Sequence, residues 1–193
     1  LVLELPTVWA VSSAESFARG AAGILEACGA VAFLSFGSEC GDADKLKQVA
    51  ACLDSEPYRA GLRRFLDEGM PFAACRQAAA RDMLGRELSE LLSQPNNNLG
   101  VEYIRALNAL GSGIRPITVL RTGAAHDGGG HPEYPSASFV REKILSGELP
   151  AENPASLSYG GRGALAVLRS MTEEDFAALP DCGEGLSHRI YHA

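Results

Sequence analysis

The sequence lacks long apolar runs: its longest uninterrupted stretches, such as Gly29 to Leu34, are far shorter than the roughly 20 residues a membrane-crossing helix needs. No membrane span is expected. The N-terminus, Leu-Val-Leu-Glu-Leu-Pro, has no start methionine and none of the basic and apolar zones of a signal peptide, so it reads as a chain opened inside a strand. No CxxC pair occurs. The five cysteines (Cys28, Cys40, Cys52, Cys75, Cys182) are scattered and odd in number, which argues against a disulfide framework and fits a reducing cytoplasm. Positive charge is also short. A formal net charge of -7 is the opposite of what a domain clamping nucleic acid over a broad face carries, so any RNA contact must be local.

What is present is enough for a folded domain. With 193 residues, 46% of them hydrophobic, the chain can bury a sizeable core, with room for a small second lobe. One local cationic candidate is Arg59, Arg63 and Arg64, whose spacing puts three guanidinium groups on roughly one helical face. The plainer reading is a solvated face paired with Asp67 and Glu68.

Periodicity predicts a buried strand over Leu1 to Leu5, ending at Pro6. A helix follows, with Ser12 or Ser13 as N-cap, a stripe of Phe17, Ala21, Ile24, Leu25 and Cys28, and Gly29 as its stop. Val31 to Phe36 reads as a second strand broken by Gly37, parallel to the first in a right-handed unit. Residues 42–92 are helical almost throughout, punctuated by Gly41, Pro57, Gly69-Met70-Pro71 and Gly85, and read as a helical insertion. After Pro95-Asn96-Asn97-Asn98 comes a helix with Leu99, Tyr103, Ile104, Leu107 and Leu110 on one side, then Gly111 and a third strand over Pro116 to Leu120. Arg121 to Pro135 is a Gly-rich loop, and Ser136-Ala137-Ser138 starts a helix through Val140, Ile144 and Leu145 to Gly147. The fold class is therefore α/β with a parallel sheet, divided into a domain over 1–149 (insertion about 42–92) and the start of a helical domain over 150–193.

Such sheets bind ligands beyond the carboxyl ends of their strands. Gly37 permits close backbone approach to a flat base or ribose, or is an ordinary turn glycine. Arg121 offers a charged fork suited to phosphate oxygens. Ser136 and Ser138 at a helix N-terminus add neutral donors, with Arg141 able to return toward the same anion; equally, Ser136 is a plain N-cap and Arg141 a surface charge. His126, Asp127, His131 and Glu133 hint at a metal site, but the Gly128-Gly129-Gly130 spacer gives no rigid ligand set, and no metal is assigned.

Taken in order, residues 2–6 (VLELP), 13–20 (SAESFARG), 36–39 (FGSE), 95–103 (PNNNLGVEY), 121–127 (RTGAAHD) and 136–141 (SASFVR) resemble the successive motifs of the tRNA(Met) cytidine acetate ligase family, a branch of the nucleotidyltransferase superfamily. Glu184-Gly185-Leu186 with Arg189-Ile190 resembles a late family segment, so the likeness covers nearly the whole chain. The run 136–141 also resembles the Ser-Ser-Thr-x-x-Arg phosphate motif of nucleotidyltransferases.

The resemblance implies a Rossmann-like nucleotidyltransferase sheet whose N-terminal strand-helix unit is missing. It implies that ATP, with Mg2+ as counter-ion, activates acetate to acetyl-adenylate, and that the acetyl group passes to N4 of the wobble cytidine of elongator tRNA(Met), giving N4-acetylcytidine in the cytoplasm. It places Gly37, Asn96, Arg121 and Thr122 at ATP, with Asn97 a neighbour, and Ser136, Ser138 and Arg141 as candidate phosphate ligands. No side-chain nucleophile is needed, and no Ser-His-Asp constellation is expected. Two departures stand out. The family's His-x-Gly-His motif lies upstream, and none of His126, His131, His188 or His192 sits in one, so the piece alone is expected to be inactive and to bind adenine nucleotide weakly. Asn98 stands where the family usually shows an apolar residue. Two alternatives remain: a nucleotidyltransferase adenylating a small cofactor precursor, and a non-catalytic RNA-binding remnant.

Overall fold

The computed structural model describes residues 1–122, 135–150, 157–179, 182, 183 and 185–192. Leu1–Ser136 and Ala137–Ala193 form separate compact units. This division falls ahead of the helix at 137, whereas composition marks a change near 150.

In the first unit, strands β1 (Phe33–Ser38) and β2 (Arg115–Leu120) pair in parallel, from Phe33 opposite Arg115 to Ser38 opposite Leu120. Parallel neighbours need a long crossover. Here it contains α3 (Ala43–Leu53), α4 (Glu56–Asp67), α5 (Phe72–Glu90), a 3₁₀ turn (Leu91–Ser93) and α6 (Pro95–Leu110). The expected insertion at 42–92 is thus three helices, started by Asp42 and Ser55 as N-caps. At Gly85 the backbone takes φ 76°, ψ 179°, a region essentially reserved for glycine, and α5 kinks there.

Helix α6 is central because it buries two faces. Val101 and Ile104 join Leu46, Val49, Ala50 and Leu53 of α3 with Tyr58, Ala79 and Ala80, while Ala106 and Leu107 meet Ala18 and Ala22 of α2 (Ala14–Ala27) and Ile114. Gly111 caps α6 in the left-handed conformation, as its position past the last apolar residue predicts. The other sheet face leaves Phe33, Ile117 and Val119 about half exposed.

Four expectations are corrected. Leu1 to Leu5 forms no strand: Leu1 and Val2 are fully exposed, and no strand among the described residues pairs with them. An apolar run becomes a strand only where its N–H and C=O groups find ladder partners. A short helix, α1 (Thr7–Ala10), follows instead. Second, Ser13 does cap α2, accepting from the Ser16 N–H at 3.4 Å, but the fully buried face carries Ala18 and Ala22 rather than Phe17, Ala21 or Cys28. Small side chains let α2 and α6 approach closely. Third, β1 does not break at Gly37, which pairs with Val119 inside the ladder. Fourth, α6 begins at Pro95 rather than after the Asn run, which forms its first turn, because Pro95 suits the first helical position.

The second unit holds α7 (Ala137–Leu145), α8 (Leu157–Ser170), α9 (Glu173–Ala177) and α10 (Leu186–Tyr191). α9 packs on α10 and starts with a reciprocal capping box between Thr172 and Asp175. Among the described residues no helix is long and apolar enough to cross a membrane.

Candidate nucleotide site

The carboxyl ends of β1 and β2 meet the N-terminus of α6. Glu39, one residue beyond β1, accepts from the Asn96 N–H (3.2 Å), the Asn96 side-chain amide (2.7 Å) and the Asn97 N–H (2.7 Å). A carboxylate in that position satisfies two otherwise unpartnered N–H groups and sits at the positive end of the helix dipole. Burial alone raises the Glu39 pKa, but the bonds from the Asn96 side chain and from the backbone outweigh it and hold the carboxyl below its ordinary range.

The anchoring of Asn96 orients it. With its amide nitrogen donating to Glu39, its carbonyl oxygen faces Arg121, whose guanidinium donates to it at 3.3 Å. Arg121 itself is held by its backbone N–H, which donates to the Ser38 carbonyl at 2.9 Å just past the ladder. Its aliphatic stem lies over Gly37: a Cβ there would sit 3.2 Å from Arg121 Cγ. A side chain at Gly37 would therefore crowd the arginine stem. The result is a chain Glu39, Asn96, Arg121 with the guanidinium exposed at the rim.

Asn97 differs from its neighbour. It is fully buried, its carbonyl accepts from the Cys40 N–H at 3.0 Å, and its amide donates to Gln94 at 2.5 Å, so its side chain ties α6 to the loop after β1. Asn98 is less comfortable: its side-chain oxygen is buried with no hydrogen-bond partner among the described residues.

Thr122 is exposed beside Arg121, and Ser136 is buried at the end of the first unit. Ser138 and Arg141 belong to α7 of the second unit, where Arg141 donates to the Ser138 hydroxyl oxygen at 3.2 Å. His126, Asp127, His131 and Glu133 lie outside the described residues. Of the three arginines on α4, Arg64 pairs with Asp82 (2.8 Å) and Arg59 with Glu56 (3.7 Å), so the partners are not Asp67 and Glu68 as spacing suggested. Asp82 lies on α5, packed against α4, and is invisible to a reading of one helix.

Sequence reasoning missed two features. The first is the role of Glu39, whose signal is a carboxylate directly after a strand, ahead of an Asn-rich helix start. The second is a buried ion network in the clefts away from the sheet edge, lined by Arg59, Asp54, Glu102 and Arg105 among others. There Glu102, 2% exposed, pairs with Arg76 and with Arg105 (2.7 Å), and Arg105 pairs with Asp54 (2.8 Å). Its charges neutralise one another, which marks a structural network more than a ligand site.

Comparison with known proteins agrees with this architecture. Residues 1–159 match the family model described as HIGH Nucleotidyl Transferase. A tRNA(Met) cytidine acetate ligase of Clostridium botulinum is 40% identical over 79% of this chain and 41% of its own length, and one of Alkaliphilus metalliredigens is 35% identical over 99% and 53%. Thermotoga maritima TmcAL in its apo form superposes with a TM-score of 0.83 at 30% identity, covering all of this chain and 52% of that one. The same protein bound with alpha-thio ATP gives 0.81 at 29% identity. The chain spans about half the length of these relatives. With the parallel sheet and six ordered motifs, these matches show that the chain belongs to the HIGH nucleotidyltransferase family, in the branch of the tRNA(Met) cytidine acetate ligases.

Proposed function

We propose that the protein, at its relatives' full length, uses ATP to activate acetate and acetylates the wobble cytidine of elongator tRNA(Met). An acetate oxygen attacks the α-phosphorus, the bond to pyrophosphate breaks, and acetyl-adenylate forms. The cytidine N4 amine then attacks the acetyl carbonyl, AMP leaves, and the amine loses a proton to give N4-acetylcytidine. Both nucleophiles belong to substrates, so the protein's part is to orient them and to neutralise developing charge.

The observation that carries the reading is the Glu39, Asn96, Arg121 chain at the carboxyl edge of the parallel sheet, in a fold similar to that of Thermotoga maritima TmcAL bound with alpha-thio ATP. In this reading Arg121 supplies the charge for phosphate oxygens, Asn96 holds it ready, and Gly37 leaves room for its stem. Thr122 adds a hydroxyl, and Ser136, Ser138 and Arg141 are assigned to the phosphates. Glu39 commits both oxygens to α6, so no protein carboxylate is assigned to Mg2+; the ion arrives as the counter-ion of ATP. A tRNA acceptor places the work in the cytoplasm.

The test is incubation of the full-length protein with ATP, labelled acetate and tRNA(Met), followed by nucleoside analysis. Label in N4-acetylcytidine, dependent on ATP, is the expected result. ATP consumption with a small-molecule acceptor and none with tRNA would move the protein to the cofactor-adenylating reading.

A further inference from the structure

Within the second unit, three side chains converge on the α9–α10 pair. Glu173 opens α9, His188 lies on α10, and His192 caps the C-terminal end of α10 one turn later. Their ligand atoms all lie within 4.8 Å of one another. Glu173 Oε1 is 3.0 Å from His188 Nδ1, and its other oxygen is 3.7 Å from His192 Nε2.

Neither bland explanation accounts for the full arrangement. A simple helix-to-helix hydrogen bond needs only His188, since the contact from His192 is too long to be one. The two imidazole rings lie with centroids 4.4 Å apart and tilted by 55°, so they do not stack face to face. Two imidazoles at i and i+4 with a carboxylate opposite are instead a borderline-soft nitrogen and oxygen set, the donor chemistry of a first-row divalent ion.

The supports are built. The Thr172–Asp175 capping box fixes the turn that carries Glu173, and the Tyr191 ring meets His192 edge-on at 5.0 Å. The C-terminal end of a helix, where the backbone carbonyls point, also favours a cation. Alongside lies a depression lined by Thr172, Glu173, Glu174, Ala177, Ser187 and Tyr191, so Glu173 borders open space.

From these observations we propose that Glu173, His188 and His192 bind one divalent transition ion, zinc first, which clamps α9 to α10.

The test titrates the 193-residue chain, freed of metal with a chelator, with Co2+ followed by visible absorption and with Zn2+ followed by calorimetry. One ion per chain is expected, with absorption bands of low-coordinate cobalt and a raised melting temperature. His188→Ala or His192→Ala should each weaken binding at least about tenfold, the scale already seen when mere supporting partners of a ligand are lost. Both histidines are exposed, so the variants should keep the wild-type far-ultraviolet dichroism. Absence of binding up to about 1 mM, a free energy near -4 kcal/mol, would overturn the proposal. So would binding that survives both histidine variants, or that is lost instead in a His126→Ala, His131→Ala double variant.

Discussion

Replacing Glu39 with alanine should unseat the start of α6 and loosen the candidate site together. The carboxylate accepts three hydrogen bonds, two of them at 2.7 Å. Charge-assisted bonds contribute about 1.5–3 kcal/mol each in isolation, but three on one carboxylate are not independent, and water reaches a half-buried helix start. The scale of an N-cap loss, about 0.5–2 kcal/mol, then sets the lower bound, and about 2 kcal/mol is expected for Glu39→Ala. For a chain of this size each kcal/mol moves the midpoint by about 2–4 °C, so the melting temperature should fall by about 4–8 °C. Glu39→Gln, which keeps one acceptor oxygen, should lose less. Because the folded-state pKa is depressed, this stability is fully present above the unfolded value of about 4.3 and disappears as pH falls through the folded value. Wild type and Glu39→Ala should therefore converge in acid. Thermal melts of both proteins at neutral pH and near pH 3 decide it: equal midpoints at neutral pH, or a gap that persists undiminished in acid, would refute the reasoning.

Three further substitutions probe the rest of the fold. Glu102→Ala leaves Arg76 and Arg105 without their buried partner and should cost about 3–5 kcal/mol in denaturant unfolding, the cost of an uncompensated buried charge. Asn98→Leu removes a buried oxygen that has no partner among the described residues and should stabilise by about 1 kcal/mol, the low end of the cost of an unsatisfied polar group; a lower unfolding midpoint would show that the amide is satisfied after all. Gly85→Ala meets no neighbouring atoms within 4 Å yet must adopt φ 76°, so about 1–3 kcal/mol of backbone strain should appear as a lower melting temperature.

Local signals were legible and distant ones were not. Ser13 as a cap, Gly111 as a stop and the Gly and Pro breaks of the insertion are decided within a few residues, and the structure has them where the pattern put them. The Leu1–Leu5 strand was misread because its apolar character is local while strand pairing is not. The same limit governs the candidate site. Glu39 acquires its role from Asn96, 57 residues later in the chain, and the difference between a half-buried Asn96 and a fully buried Asn97 depends on Cys40 and Gln94. Adjacent identical residues carry no mark of which will be consumed by the fold.

The most direct test of the central claim is the affinity of the full-length protein for ATP with and without the Arg121 fork. Arg121→Ala removes a charge-assisted contact of about 1.5–3 kcal/mol, and so should weaken ATP binding by calorimetry roughly ten- to a hundred-fold. Arg121→Lys, which keeps the charge but not the planar geometry, should fall between wild type and alanine. An alanine variant that binds ATP with unchanged affinity and melts at the wild-type temperature would contradict the assignment of this sheet edge to the nucleotide.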